Sequence, residues 1–360
     1  MPASNAAALL AEGYTWPELH RLVGATLRTG LSALVRGHPG VGKSTLAQAL
    51  ADEMELPLVD IRLAQRDPSD LCGVWFPDRD TQTLVAYPPA WARKAAEEPC
   101  FIFLDEINAA VTRLHQAAAY QIVLEKRVGE LRFHPGTVVL AAGNLEEDNA
   151  IVTSLSSALC NRFTHFVLRV DPDSWLAWGE ANRLDSTVLG YIAGHGAKVL
   201  YDQSRGELAF PSPRSWAMAS QLCGAGEEAD LKRLVAACVG SEHAEEFFAW
   251  RSLYGKIDPE KIIRKGKIPN FTRGKNRDPS FMYAATFAVA EWLRSGPDLS
   301  DEEIANVVAF LTAPGLEMEF SFLFLRHIRP EEELFVRLRG LPEFRTLASR
   351  LVGLRASMFT

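Results

Sequence analysis

Residues 37–44 read Gly37, His38, Pro39, Gly40, Val41, Gly42, Lys43 and Ser44, which fits the pattern G-x-x-x-x-G-K-[ST]. A short apolar run, Ser32 to Val35, comes just before it, and Thr45 to Ala51 continues as helix-forming sequence. A buried strand that breaks into a glycine loop and then a helix brings backbone N–H groups and a helix N-terminus to one point, where an anion is bound. Phosphate fits that description. The glycines let the backbone wind around a β-phosphate, Lys43 reaches the β- and γ-phosphates, and the Ser44 hydroxyl is placed to ligate Mg²⁺. The main chain of residues 37–45, Thr45 included, forms the cradle. At His38 the contribution is backbone, and the imidazole is given no role.

Strand, loop and helix in that order call for a parallel α/β sheet, and the next hundred residues supply one. Short β-rich apolar runs at 33–36, 58–62, 100–104, 137–141 and 164–170 alternate with helical stretches. Five parallel strands with helices on both faces are expected. After residue 170 the strand signals fade and helical periodicity takes over, for example over 173–182 and 215–223. With 360 residues, two or three domains are expected. The boundaries fall at 1–171 for the nucleotide-binding α/β domain, 172–251 for a helical second domain, and 252–360 for a linker followed by a third helical module.

Apolar residues make up 48% and charged residues 23%, so neither a disordered nor a fibrous chain is indicated. A net charge of −7 argues against a nucleic-acid partner while leaving room for a local basic patch. The five cysteines, Cys72, Cys100, Cys160, Cys223 and Cys238, form no C-x-x-C pair and are odd in number, which favours reduced, buried thiols. Residues 1–6 lack the basic and apolar regions of a secretory signal. The longest apolar stretch, 284–293, is interrupted by Thr286 and Glu291 and is well short of the roughly 20 residues a membrane span needs. A cytoplasmic location without membrane insertion is expected.

Phe101, Ile102, Phe103 and Leu104 run directly into Asp105 and Glu106, placing two carboxylates at the C-terminal end of a buried strand. In parallel sheets ligands sit at that end. Carboxylates there are costly to bury without a cation, and the Mg²⁺ of a nucleotide supplies one. Asp105 then holds the metal shell, and Glu106 is free to act as general base on an attacking water. The run Val138 to Ala141 leads to Ala142, Gly143 and Asn144, so an amide emerges at another strand end. Asn144 either holds the water or the γ-phosphate, or belongs to a simple Gly-Asn turn. The histidines and cysteines show no metal-ligand spacing, so Mg²⁺ is the one metal expected.

With Asn161-Arg162-Phe163 and Ser212-Pro213-Arg214, these segments occur in the order and rough spacing found in AAA+ ATPases, and the chain is most similar to the MoxR group. The resemblance covers about residues 15–250; the last hundred carry no motif that it explains. It implies an AAA+ P-loop core, a helical lid and a C-terminal helical module, with ATP and Mg²⁺ as cofactors. By the same resemblance Asn144 corresponds to the polar sensor of the core. Arg162 corresponds to an arginine finger reaching the γ-phosphate in the neighbouring subunit, and Arg214 to a second sensor on the lid. Guanidinium groups suit that task because they meet phosphoryl oxygens with fixed bidentate geometry. The family also implies a homo-oligomeric ring, most often of six, that remodels a protein client in chaperone fashion, and a partner with a von Willebrand factor A domain. Two other readings use the same core: a nucleic-acid-directed motor, and a slow ATP-dependent scaffold or switch.

Residues 74–87 hold two β-like arms around a Pro-Asp-Arg-Asp tip and read as a hairpin. It resembles the insert that MoxR-type ATPases project toward the ring pore. Trp75 and Phe76 are then either exposed grips on a client or a local core beneath the hairpin. A second hairpin-like stretch, 127–134, either faces the same pore or caps the sheet edge. The segment 261–277 holds seven basic residues, no acidic ones, and Phe271. It reads as a solvated linker or as a patch for nucleic acid or an acidic partner. Trp175, Trp178 and Trp216 read as lid core.

Overall fold

The computed structural model describes residues 13–80, 82–109, 112–145, 155–204, 208–225, 228–328 and 332–357. The N-terminal stretch 1–6, read above for a signal, lies outside them. Packing divides the chain into two compact units, Met1–Ser174 and Trp175–Thr360.

The first unit contains helix α1 (Trp16–Arg28), strand β1 (Ala33–Gly37), helix α2 (Lys43–Glu53), strand β2 (Leu58–Arg62) and helix α3 (Pro68–Cys72). A hairpin of β3 (Val74–Asp78) and β4 (Thr83–Tyr87) leads to α4 (Ala90–Glu97), β5 (Phe101–Asp105) and α5 (Arg113–Tyr120). Helix α5 continues into a π-helical turn, Gln121–Glu125, before the short hairpin of β6 (Arg127–Val128) and β7 (Leu131–Arg132). Strand β8 (Val138–Gly143), helix α6 (Ser157–Cys160) and strand β9 (Thr164–Leu168) complete the unit.

Five of the strands form one sheet in the order β2-β5-β8-β1-β9. Every pairing in it is parallel, with Phe101 opposite Val138, and Ala33 between Leu140 and Thr164. Both sheet faces are covered, so β5 and β8 read as continuous apolar runs instead of alternating ones. Leu34, Ile102, Leu104, Val139 and Ala141 join the core formed with Ala92 and Ala95 of α4 and Ala118 and Ala119 of α5. Strand alternation turns Val35, Phe103 and Leu140 to the opposite face. They too are buried, and α2 packs against β1, β5 and β8 with its own buried Leu46, Ala47 and Leu50.

The second unit is helical, and the boundary expected near residue 251 falls inside it. An aromatic cluster fills one part. Tyr191 lies with its ring centre 5.5 Å from Trp216 and 5.4 Å from Phe247, and the Trp216 indole N–H donates to the Val199 carbonyl at 2.6 Å. Gly190 brings the helix Ser186–His195 close to its neighbours, because a Cβ there would stand 2.8 Å from the Trp250 ring. A second core gathers Phe271, Val289, Phe310, Phe320 and Phe324. Phe271 is therefore interior, although it lies in the basic segment. Within that segment Lys261 pairs with Asp258 at 2.7 Å, and Arg264 pairs with Glu260 at 3.3 Å and Glu303 at 3.1 Å. Trp175 and Trp216 are buried as core, whereas Trp178 is exposed. All five cysteines are free, but only Cys100 is buried; the other four are half-buried. Among the described residues no helix is long and apolar enough to cross a membrane.

Candidate functional site

The strand order places the ends of β1, β8 and β5 side by side, with β8 in the middle. Gly40 and Gly42, in the loop after β1, hold φ of 78° and 100°, which L side chains rarely adopt, and Gly42 caps helix α2. Gly37 is required for space, since a Cβ there would lie 2.9 Å from the Leu168 carbonyl oxygen of the adjoining strand.

Lys43 is the first residue of α2, and its ammonium folds back over the loop. Nζ donates to the carbonyls of Gly37 at 2.6 Å and His38 at 2.9 Å, and to Oδ1 of Asn144 at 2.9 Å. Beside it, Ser44 Oγ donates to Asp105 Oδ2 at 3.1 Å. The other oxygen, Asp105 Oδ1, accepts the backbone N–H of Glu106 at 2.9 Å. Four of the residues singled out in the sequence, Lys43, Ser44, Asp105 and Asn144, thus meet at one rim of the sheet although the chain separates them by up to 101 positions.

Glu106 has a φ of 55°, unusual for a residue with a side chain. Such conformations persist where the surroundings over-determine them, and they cluster at functional sites. Here the turn after β5 is bonded to β8: Ile107 N–H donates to the Ala142 carbonyl at 2.9 Å, and Ala109 N–H closes back onto Glu106 at 2.9 Å. Asn108 is buried and pairs with both backbone groups of Asn144.

Arg162 stands apart from this cluster. It follows α6, and its Nη2 donates to the Tyr120 hydroxyl at 3.0 Å while the guanidinium lies 5.5 Å from the centre of the Tyr120 ring. Its Nε is buried with no hydrogen-bond partner among the described residues. The turn carrying it is braced by His165, whose Nε2 donates to the Cys160 carbonyl at 2.7 Å and whose Nδ1 accepts from Arg36 at 3.0 Å. Tyr120 ends α5 where the helix widens into its π-turn, a feature often found at functional sites. Arg214 belongs to the second unit, exposed in the first turn of the helix Pro213–Ala225.

Three residues of this surrounding were not singled out by sequence. Asn108 follows closely after Glu106 in the chain, but nothing in its type or spacing names a partner. Tyr120 and His165 carry no local signal, since their contacts are set by tertiary packing.

An ammonium, a hydroxyl and a carboxylate at a helix N-terminus can hold a polyphosphate and its divalent cation. Ser44 Oγ and Asp105 Oδ2 are hard oxygen donors of the kind Mg²⁺ prefers, so the donor set fits that ion. Residues 33–169 match the ATPase family associated with various cellular activities (AAA). They are an AAA ATPase domain. The match starts with β1 and ends just beyond β9, so the AAA domain comprises the five-stranded sheet and the site at its rim.

Among individual proteins, the chain is 32% identical over 133 residues to an uncharacterised AAA domain-containing protein of Schizosaccharomyces pombe, covering 36% of this chain and 16% of that one. It is 38% identical over 184 residues to midasin of Giardia intestinalis, covering 48% of this chain and 4% of midasin. It is 35% identical over 97 residues to the ATP-dependent zinc metalloprotease FtsH 1 of Symbiobacterium thermophilum, covering 27% and 14%. The chain therefore spans less than a fifth of the length of each of these relatives. Among solved structures, the Holliday junction branch migration motor RuvB of Thermotoga maritima is similar with 15% identity and a TM-score of 0.38, covering 71% of this chain and 77% of RuvB.

Proposed function

We propose that this chain is an ATP-hydrolysing AAA+ protein of the MoxR type, acting as a homo-oligomeric ring that remodels a protein client. The observation that carries the reading is the meeting of Lys43, Ser44, Asp105 and Asn144 at one sheet rim, beside the left-handed turn of Glu106. The main chain of residues 37–45 cradles the phosphates, and Lys43 draws charge from the β- and γ-oxygens. Ser44 and Asp105 would hold Mg²⁺, which when bound neutralises phosphate charge. Glu106 takes the proton of a water whose oxygen bonds to the γ-phosphorus as the bond to the bridging oxygen breaks. Asn144 orients that water or the γ-phosphate.

Arg162 serves the site of the adjoining subunit and Arg214 the site of its own. In the single chain Arg162 rests on Tyr120, and assembly would draw it away. Residues 172–251 form the lid in this reading, followed by the C-terminal module from 252. The β3–β4 hairpin, with Trp75 and Phe76 exposed, supplies the client-facing surface, and a protein with a von Willebrand factor A domain is the expected partner. A cytoplasmic location suits these roles.

Nucleotide binding and steady-state hydrolysis test the core of the proposal. Lys43→Ala is expected to lose ATP binding, whereas Glu106→Gln retains it and loses at least about 100-fold in turnover. Copurification with Glu106→Gln, held in ATP, should deliver the client. Wild-type protein that binds no ATP would refute the reading, and full turnover by Glu106→Gln would remove Glu106 as the base.

A further inference from the structure

The ladder that holds β8 in the sheet stops one residue before the sensor. Its last partner in β1 is Arg36, opposite Gly143, and its last partner in β5 is Leu104, opposite Ala141. Beyond that point no strand among the described residues supplies partners for the backbone of Asn144, and the side chain of Asn108 does so instead. Asn108 Oδ1 accepts the Asn144 N–H at 3.1 Å, and Asn108 Nδ2 donates to the Asn144 carbonyl at 2.9 Å. A carboxamide carries one acceptor and two donors, so it can pair with both groups of one residue as a neighbouring strand would. The fit is close: a Cβ on Gly143 would stand 2.7 Å from Asn108 Oδ1.

We propose that Asn108 is a positioning residue that locks the backbone of Asn144 to the turn bearing Glu106, so that sensor and general base keep one geometry through the ATPase cycle. The proposal rests on the hydrolytic reading given above. Its physical content is a closed circuit of hydrogen bonds joined by two short stretches of main chain, Glu106 to Asn108 and Lys43 to Ser44. From Lys43 the path runs through Asn144 Oδ1 to the Asn144 backbone, then across Asn108 to the turn at Glu106, on to Asp105, and back through Ser44 to Lys43. When phosphate replaces Asn144 as a partner of the Lys43 ammonium, the pinned backbone allows only the Asn144 side chain to turn. The freed Oδ1 is then delivered to one place relative to the Glu106 carboxylate. Misplacement of a reacting group by about 1 Å costs on the order of 100-fold in rate, so the effect belongs in kcat.

Two variants test this. Asn108→Ala removes both bonds; Asn108→Asp keeps the volume and the acceptor but sets a carboxylate oxygen against the Asn144 carbonyl. Both are expected to lose about 10- to 100-fold in kcat with KM and ATP affinity changed by less than about threefold. Asn108→Ala combined with Asn144→Ala should turn over like Asn144→Ala alone, because the two act through one group. Wild-type kcat in either single variant, additive losses in the double variant, or a loss confined to ATP affinity would overturn the proposal. Hydrogen exchange gives a readout independent of catalysis: the Asn144 amide should be protected in the wild type and exchange at least about tenfold faster in Asn108→Ala. If the wild-type protein does not hydrolyse ATP, the functional reading falls, and this exchange measurement alone decides the link. An Asn144 amide unprotected in the wild type would refute it.

Discussion

Two groups of aromatic residues, one in the helical unit and one on the β3–β4 hairpin, have opposite outcomes. In the helical unit Tyr191, Trp216 and Phe247 are sealed from water, whereas on the β3–β4 hairpin Trp75, Phe76 and Tyr87 remain 51%, 53% and 55% exposed. Composition does not separate the two regions. What separates them is the number of layers around them. The helix Ser186–His195 packs against Pro279–Arg294 and Ser241–Tyr254, so a ring on it meets other rings. A two-stranded ribbon has no second layer of its own, and neighbouring residues of a strand point to opposite faces. Trp75 and Phe76 are adjacent and both exposed, so neither face of the ribbon is covered within its unit.

The contrast can be broken by truncation. Trp216→Ala should cost the most, about 3–5 kcal/mol of unfolding free energy, because it leaves a cavity and orphans the Val199 carbonyl. Denaturant titration of the helical unit's transition measures it, and a loss below about 1 kcal/mol would mean the cluster is not a stabilising core.

An intermediate effect is expected from His327, buried in the same unit. Its Nδ1 faces Glu180 at 3.3 Å and its Nε2 faces Glu291 at 3.1 Å, with Arg294 3.4 Å from Nε2. Burial disfavours the charged ring, but the two carboxylates outweigh it and raise the pKa above 6.5. The hydrogen bond from His327 holds the Glu291 carboxyl below its usual range against the opposing effect of burial. A raised histidine stabilises fully below its unfolded value and loses that contribution as pH rises through its folded value. The depressed carboxylate works in reverse: its contribution is present above its unfolded value and disappears as pH falls through its folded value. The cluster therefore contributes most in mildly acidic solution and fades on the alkaline side. Unfolding measured from about pH 5.5 to about pH 8.5 should show a decline that His327→Gln flattens, and equal slopes in the two proteins would contradict the assignment.

The smallest effect on stability should come from the hairpin. Trp75→Ala is expected to change unfolding free energy by less than about 0.5 kcal/mol, since its ring is half in water already. On the proposed function it should weaken client capture by Glu106→Gln. A large loss of stability would mean that the ring is buried by a contact outside its own unit.

The α/β unit was legible in the sequence because each motif couples residue type to backbone position. Gly42 needs its left-handed φ, Lys43 must open the helix, and Asp105 must end a strand; the five expected strands fall within a few residues of those found. The helical unit offered periodicity without such couplings. Phe271 sits in a run of basic residues, yet it turns inward while Lys261 and Arg264 find acidic partners outside. Contacts such as Tyr120 with Arg162, 42 residues apart, or His327 with Glu180, 147 apart, follow from packing that no local pattern encodes.

Asn108 and Gly143 also constrain how this site can change over generations. A methyl at position 143 would strike the Asn108 amide, so the glycine cannot be replaced first without displacing its neighbour. A lineage that first exchanges Asn108 for a smaller residue is free to fill position 143. Once that position is filled, the amide has no room to return. The order of the two substitutions is therefore set by geometry, and the second makes the first irreversible.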